Sequence, residues 1–163
     1  MRVILIYTCA ALLFLSCSAN RQSAEKMKEL SLLDEKEASG WRMRLNYLPS
    51  NPRDTTDWSL VLRVEHESGL PQQIINEPRF SFGIDSLFEV ITSMDTLAPY
   101  MAIRIANGMT NGAEYMLTFN RQSVLKNGDI QLRFKDWLFS QRELYFPVNM
   151  ISIHQLDSIY SRI

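Results

Sequence analysis

Residues 58–66 read WSLVLRVEH and residues 41–47 read WRMRLNY, and in both stretches apolar side chains alternate with mostly polar ones. Successive side chains of a β-strand point to opposite faces of the sheet, so a period of two predicts a strand with one buried and one wet face. Prolines and polar residues separate the two stretches, and Ser68-Gly69 follows the second. The two stretches therefore predict a pair of half-buried antiparallel strands.

The same alternation recurs towards the C-terminus, and turn-forming residues separate the segments that carry it. Asn-Gly pairs stand between several segments, and they suit the positive φ angles of tight turns. About seven or eight strands in all predict an all-β fold, which is an antiparallel β-sandwich or a partly open barrel. The further strands are predicted within residues 80–84, 87–92, 100–106, 115–119, 130–135 and 144–146.

Two segments depart from this period. Residues 24–38 are rich in Glu, Lys, Leu and Met, which predicts either a short amphipathic helix or a flexible charged linker. Near the C-terminus Leu156, Ile159, Tyr160 and Ile163 recur at helical spacing, which predicts a short C-terminal helix.

The N-terminus has the pattern of an export signal. Arg2 precedes an apolar run over residues 3–15, and Ser16-Cys17 follows the run. A run of about thirteen residues is too short to cross a bilayer as a helix, so a secretory signal over residues 1–16 is predicted. As an ordinary secretory signal, this segment would be cleaved after Ser16 or Ala19.

Phe14-Leu15-Ser16-Cys17 resembles the lipobox of bacterial lipoproteins, in the relaxed form found in Bacteroidota. The resemblance implies that Cys17 becomes the mature N-terminus and carries acyl chains that hold the protein on a membrane. It divides the chain into a signal peptide (1–16), a lipidated tether or linker helix (17–39) and a β-sandwich domain (40–163). No acidic residue lies between Cys17 and Glu25, which favours the periplasmic face of the outer membrane over the cell surface.

Two further stretches resemble small Bacteroidota lipoproteins of unassigned function. One is Tyr47-Leu48-Pro49, and the other comprises IQLRFKDWLF at residues 130–139 and LYF at residues 144–146. The resemblance implies a β-rich domain of the cell envelope. It implies no activity and no catalytic residue.

Composition argues against several classes of function. The 163 residues carry 17 basic and 18 acidic side chains, so no strongly basic face is predicted to attract nucleic acid. The two cysteines, Cys9 and Cys17, both precede the predicted domain, which leaves that domain without a disulfide, a thiolate metal site or a catalytic thiol. His66 stands between two glutamates that alternation sends to the opposite face, and His154 with Asp157 offers only two metal ligands. We therefore predict a protein without catalytic residues, metal or cofactor.

The aromatic residues provide the candidate contact surface. Trp137-Leu138-Phe139 follows Asp136 in a predicted hairpin, where consecutive apolar side chains cannot all turn inward. Together with Tyr145 they are predicted to contact a partner protein or a ligand. The sequence thus suggests a non-enzymatic envelope lipoprotein that docks a partner protein, with carbohydrate binding through loop aromatics as the alternative. Trp41, Tyr47 and Trp58 lie on apolar strand faces and are predicted to pack in the core.

Overall fold

The computed structural model describes residues 25–50, 56–125 and 129–161. The predicted signal peptide, residues 17–24 of the predicted tether with Cys17, and the Asn-Gly pair at 127–128 lie outside the described residues. The helices are α1 (residues 25–31), α2 (Gln72–Ile75), α3 (Arg121–Leu125) and α4 (Met150–Tyr160). The strands are β1 (Leu32–Ala38), β2 (Trp41–Leu48), β3 (Asp57–His66), β4 (Phe88–Ile91), β5 (Thr96–Leu97), β6 (Met101–Arg104), β7 (Gly112–Asn120), β8 (Ile130–Asp136) and β9 (Arg142–Val148).

The strands form two antiparallel sheets, which we call sheet A and sheet B. Sheet A has the order β1-β2-β3-β7-β6, and sheet B has the order β5-β4-β8-β9. The predicted all-β fold is confirmed as an open sandwich rather than a closed barrel. Within the described ranges, no helix is sufficiently long and hydrophobic to traverse a bilayer.

The core lies between the sheets and consists of the alternating apolar residues. On β3 the side chains of Trp58, Leu60, Leu62 and Val64 are completely buried. Their neighbours across the core include Phe88, Leu132, Phe134 and Phe146 of sheet B, which are buried to the same degree. Burying one such side chain contributes roughly 2 kcal/mol. The predicted core positions Trp41, Tyr47 and Trp58 are confirmed.

Sheet A begins earlier in the chain than the sequence indicates. Residues 25–31 are helical, as one of the two predictions for 24–38 has it, but Leu32–Ala38 is an edge strand and not a tether. Its hairpin with β2 turns at Ser39 and Gly40, whose φ angles are 53° and 81°, and such positive values suit a two-residue hairpin turn. The antiparallel backbone ladder pairs this strand with β2, and exposed ion pairs of Arg42 with Glu35 (3.6 Å) and Glu37 (3.0 Å) also link the two strands.

The segment predicted as a strand at residues 80–84 is not a strand. Two 3₁₀ turns, Pro78–Phe80 and Ile84–Leu87, occupy this part of the connection between β3 and β4. Pro78 cannot donate to a sheet ladder, and Gly83 has a φ angle of 63°, which breaks an extended chain. Phe80 and Ile84 are buried as alternation predicts, but they are presented by turns.

The predicted C-terminal helix is confirmed as α4. Asn149 caps it, because the side-chain oxygen accepts hydrogen bonds from the backbone N–H groups of Ile151 (3.0 Å) and Ser152 (3.3 Å). The helix buries Ile153 and Leu156 against the sandwich.

The sandwich has two distinct ends. At the end that we call the loop end lie the β1–β2 turn, the connection 67–87, the segment 105–111 and the β8–β9 loop at 137–141. At the opposite end, which we call the α4 end, lie α1, α3 and α4. The ten residues of β3 run from one end to the other and span about 33 Å.

Candidate functional site

The β8–β9 loop is organised around a single buried carboxylate. Asp136 is 1% exposed, and its Oδ1 accepts hydrogen bonds from the N–H groups of Leu138 (3.1 Å) and Phe139 (2.8 Å). Its Oδ2 accepts from the N–H (2.6 Å) and the hydroxyl (2.5 Å) of Ser140. Hydrogen bonds to a charged acceptor are stronger than neutral ones, so this carboxylate holds the loop in one conformation.

That conformation points Phe139 inward. Its side chain is 7% exposed, and its ring centroid lies 4.9 Å from that of Trp41 and 6.4 Å from those of Tyr115 and Phe134. Phe139 is therefore a core residue, and its predicted place in the contact surface is wrong. The physical reason is the turn around Asp136, which directs adjacent side chains of the loop to opposite sides.

Trp137 has the opposite orientation. Its side chain is 61% exposed, as expected for a contact residue, while Leu138 is half-buried against the core. Trp137 borders a shallow cleft of about 280 Å³. The other residues that line this cleft, the Trp137 cleft, are Gln73, Ile74, Glu77, Arg79, Leu138 and Gln141.

Sequence reasoning missed a second exposed aromatic residue at the loop end. Phe82 is 76% exposed, and it belongs to the same connection as the exposed Ile75. The buried Phe80 of this connection contacts Phe139, with ring centroids 6.5 Å apart, so the segments that carry Phe82 and Trp137 meet in the core. Alternation with Phe80 hid this residue, because it predicts Phe82 on the buried side of a strand.

Tyr145 lies elsewhere. It is 41% exposed on the outer face of sheet B, and its hydroxyl donates to Glu143 (2.9 Å). Its cross-strand neighbour Arg133 forms an ion pair with Glu89, which Lys135 also contacts at 2.5 Å. Burial alone raises the pKa of Glu89, but hydrogen bonds from Lys135 and Arg133 outweigh it and hold the pKa below its ordinary value. Tyr145 thus belongs to a solvated charged face and does not line the Trp137 cleft.

A second, larger cleft of about 540 Å³ also opens at the loop end, beside the β1–β2 turn. His66 lines it and packs on Trp41, with ring centroids 4.6 Å apart, while its Nδ1 accepts from the N–H of Ser68 (3.2 Å). A side chain at position 40 would crowd this histidine, since a Cβ there would lie 3.2 Å from its Nε2. His66 is thus a strand-end residue that packs against an aromatic ring.

The outer face of sheet A carries a row of charges next to this cleft. Glu65 pairs with Arg44 and with Arg63 (2.9 Å), and Arg63 also approaches Glu114 (3.4 Å). Burial acts to raise the pKa of Glu65, but the bonds from the two arginines overcome it and lower the pKa. The charges of this row are mutually compensated, which makes it a poor site for a charged ligand.

The candidate site is therefore the Trp137 cleft, together with the exposed Phe82 on the segment whose Phe80 contacts Phe139. An exposed indole ring flanked by amides and an Arg79–Glu77 pair (3.6 Å) can stack on an apolar surface and form hydrogen bonds around it. Within the described part of the chain, no three His, Cys, Asp or Glu side chains gather where they could bind a metal ion.

No protein family model, no curated protein and no solved structure matches the chain.

Proposed function

We propose that this protein is a lipid-anchored envelope protein whose sandwich docks a partner protein through the loop end, without catalysis. The observation that carries the proposal is the exposed Trp137, presented by a loop that the buried Asp136 holds in place. Rigidly presented aromatic residues bind with little loss of conformational entropy, and Trp is enriched among residues that dominate binding energy. Phe82 is a second exposed aromatic residue, on the segment whose Phe80 contacts Phe139.

The position of α1 supports an orientation in which the α4 end faces the membrane and the loop end faces away from it. Lys26 of α1 lines one open cleft together with Ile151, His154 and Gln155 of α4, so the described chain begins at the α4 end. The eight residues from Cys17 to residue 25 reach at most about 28 Å. Lipid on Cys17 would thus hold the α4 end near the bilayer and turn the loop end, about 33 Å further along β3, towards a partner.

The anchor is tested on the protein purified from membranes of cells that express the whole chain. We expect an intact mass that corresponds to cleavage before Cys17 with acyl chains attached, and we expect Cys17→Ser to move the protein to the soluble fraction. The same mass measurement distinguishes conventional cleavage after Ser16 or Ala19. Fractionation of the two membranes then tests the proposed location on the periplasmic side of the outer membrane. An unmodified Cys17 would refute the anchor.

The docking role is tested by isolating the lipidated protein from mildly crosslinked membranes and quantifying its co-purifying proteins. We expect Trp137→Ala and Phe82→Ala each to lower recovery of the same partner at least tenfold, since a central aromatic contact contributes about 2 kcal/mol or more. Tyr145→Ala is the matched control, because it removes an exposed aromatic residue from another face. Equal recovery with all three variants would exclude the loop end as the docking surface.

A glycan is the second candidate ligand of the same cleft. The observation in its favour is the set of polar groups around the indole ring, namely the amides of Gln73 and Gln141 and the guanidinium of Arg79. A sugar ring can stack on tryptophan while its hydroxyl groups bond to such neighbours. Retardation in polysaccharide affinity gels, abolished by Trp137→Ala and kept by Phe82→Ala, would favour the glycan over a partner protein.

A further inference from the structure

The four edge strands of the sandwich differ in how well they are protected from pairing with another strand. β1 carries the charged run Asp34–Glu37 and packs against β9, β9 contains Pro147, and β5 has two residues. Charges, proline and short length are the usual means of blocking an edge. The 3₁₀ turn Ile84–Leu87 packs near β6, but β6 has no proline and exposes Met101 and Ile103, and no described segment bonds to its outer edge. β6 is therefore the least protected edge among the described strands.

The register of β6 shows which backbone groups are directed away from the sheet. The N–H of Ile105 donates to Glu114 O (2.8 Å), and Ile103 lies opposite Met116. In an antiparallel ladder alternate residues bond to the neighbouring strand, so residues 101, 103 and 105 face β7. The N–H and C=O groups of Ala102 and Arg104 therefore point outward. Across residues 25–50, 56–125 and 129–161, no other segment pairs with them.

We propose that a second copy of this chain pairs with β6, antiparallel, about a twofold axis at Ile103. In this register Ala102 exchanges two backbone hydrogen bonds with Arg104 of the second copy. By symmetry, Arg104 exchanges two more with Ala102 of the second copy. The four bonds join the two five-stranded sheets into one continuous ten-stranded sheet. The proposal is independent of the anchor and of docking at the loop end.

The side chains of β6 are self-complementary in this register. Ile103 faces its own copy and Met101 faces Ile105 on the outer surface, which buries apolar groups against apolar groups. Arg104 lies opposite Ala102 of the second copy, so no like charges meet. Its guanidinium is held 4.4 Å from the ring centroid of Phe80 in its own chain, which keeps it out of the new strand pair.

The neighbouring registers are poorer. An axis at Arg104 would make two arginines, which carry like charges, direct cross-strand neighbours. An axis at Ala102 would require an outward N–H at Tyr100, but this N–H donates to Thr118 O within its own chain (3.0 Å). A second copy thus fits β6 best with Ile103 on the axis.

The association is measured by sedimentation velocity on the whole chain in detergent, between roughly 1 and 200 µM. We expect a concentration-dependent dimer that Ala102→Pro makes monomeric over this range. Proline at 102 removes an outward N–H and leaves the bonds from β6 to β7 intact. Thermal unfolding of the variant checks that the fold survives.

A charge placed on the axis provides the second test. Ile103→Lys would set two ammonium groups opposite each other, and we expect it to weaken the dimer at least tenfold. Leu48→Lys is the matched control, because Leu48 and Ile103 are both 44% exposed on sheet A but Leu48 lies three strands away. A similar loss of association with both variants would overturn edge pairing in favour of contact between sheet faces.

Disulfide formation tests the register itself. Ile103→Cys should give an oxidised dimer, because residues on the axis lie within the reach of a disulfide. Met101→Cys should not, since the two copies of position 101 are about 13 Å apart in this register. Wild type oxidised in parallel reports any crosslinking through Cys9 or Cys17. A protein that stays monomeric at 200 µM, or equal crosslinking by both variants, would overturn the proposal.

Discussion

The two ends of the sandwich are closed by different kinds of interaction. At the α4 end Tyr47, Arg121 and Asp157 bond to one another: the tyrosine hydroxyl donates to Asp157 Oδ1 (2.9 Å), and Arg121 donates to Tyr47 (3.0 Å) and to Asp157 (2.5 Å). At the loop end the aromatic ring of Phe139 fills the core while Asp136 bonds to its own loop.

This difference gives the two ends different roles: the α4 end stabilises the fold, and the loop end presents an exposed side chain. The polar network of the α4 end joins β2, α3 and α4, whose residues are as much as 110 positions apart in the chain. The loop end satisfies its polar groups locally through Asp136, and it can therefore expose Trp137 without loosening the sandwich. Rigid support of an exposed aromatic residue is what a docking surface requires.

The largest expected effect is on the free energy of unfolding, and it should differ between the two aromatic residues of the β8–β9 loop. We expect Phe139→Ala to lower the free energy of unfolding by about 4 kcal/mol, because it leaves a cavity next to Trp41, Phe80 and Tyr115. Trp137→Ala should change it by less than about 1 kcal/mol, since the indole is mainly exposed. Urea denaturation measures both, and equal losses would contradict the opposite orientations of the two side chains.

Removal of the carboxylate that organises the loop should have the next largest effect. Asp136→Ala leaves the N–H groups of Leu138, Phe139 and Ser140 without their acceptor, and we expect a loss of about 3 kcal/mol. Glu143→Ala, at an exposed site of the next strand, is the control and should be close to neutral. Amide hydrogen exchange should become faster at residues 138–140 in Asp136→Ala, and unchanged protection would argue against the role of this carboxylate.

A smaller effect is expected from the ion pair of the α4 end. Arg121→Met should cost about 2 kcal/mol, because Asp157 is left partly buried without its counter-charge. The double variant Arg121→Met/Asp157→Asn should recover part of that loss. A double-mutant cycle on denaturation midpoints gives the coupling energy, and additive losses would show that the two groups do not interact.

The smallest effect is expected from the tyrosine of the same network. Tyr47→Phe should cost about 1 kcal/mol at neutral pH, the contribution of one hydrogen-bonding group. Burial raises the pKa of Tyr47 to about 12, opposed in part by the hydrogen bond from Arg121, whereas an unfolded tyrosine ionises near its ordinary value of 10. Between these values the native state binds more protons, so its stability is complete below pH 10 and declines as pH rises through 12.

The alkaline decline tests the burial of Tyr47. Tyr47→Phe should reduce the slope of the unfolding free energy against pH above 10. Tyr115, whose pKa burial also raises, accounts for the decline that remains in Tyr47→Phe. A slope unaffected by Tyr47→Phe would contradict the burial of this hydroxyl.

Much of the fold could be predicted, because its strands have one wet face. The alternation at residues 41–47, 58–64, 115–119 and 130–134 identified β2, β3, β7 and β8. β1 was not predicted as a strand. Its Glu35 and Glu37 pair across the hairpin with Arg42 at 3.6 and 3.0 Å, and such charged side chains leave no apolar period in the sequence. Residues 80–84 were wrongly predicted as a strand, because their apolar side chains alternate although turns, and not a strand, bury them.

The candidate site could be predicted only in part. The sequence indicated that Trp137, Leu138 and Phe139 could not all be buried, and Trp137 is indeed exposed. Which of them turned inward depended on four hydrogen bonds to Asp136, and no periodicity encodes those. Phe82 and the open edge of β6 were not foreseen, since both depend on which segments lie beside them.

The sequence by itself determined the fold class, because the alternation of side chains across a pleated strand is a local property that can be read two residues at a time. Only the tertiary structure decided which strand edge lies open, which aromatic ring faces solvent and how each end is closed. These features depend on contacts between residues far apart in the chain, such as Tyr47 with Asp157 and Trp41 with Phe139, and on the few backbone groups that such contacts leave unpaired.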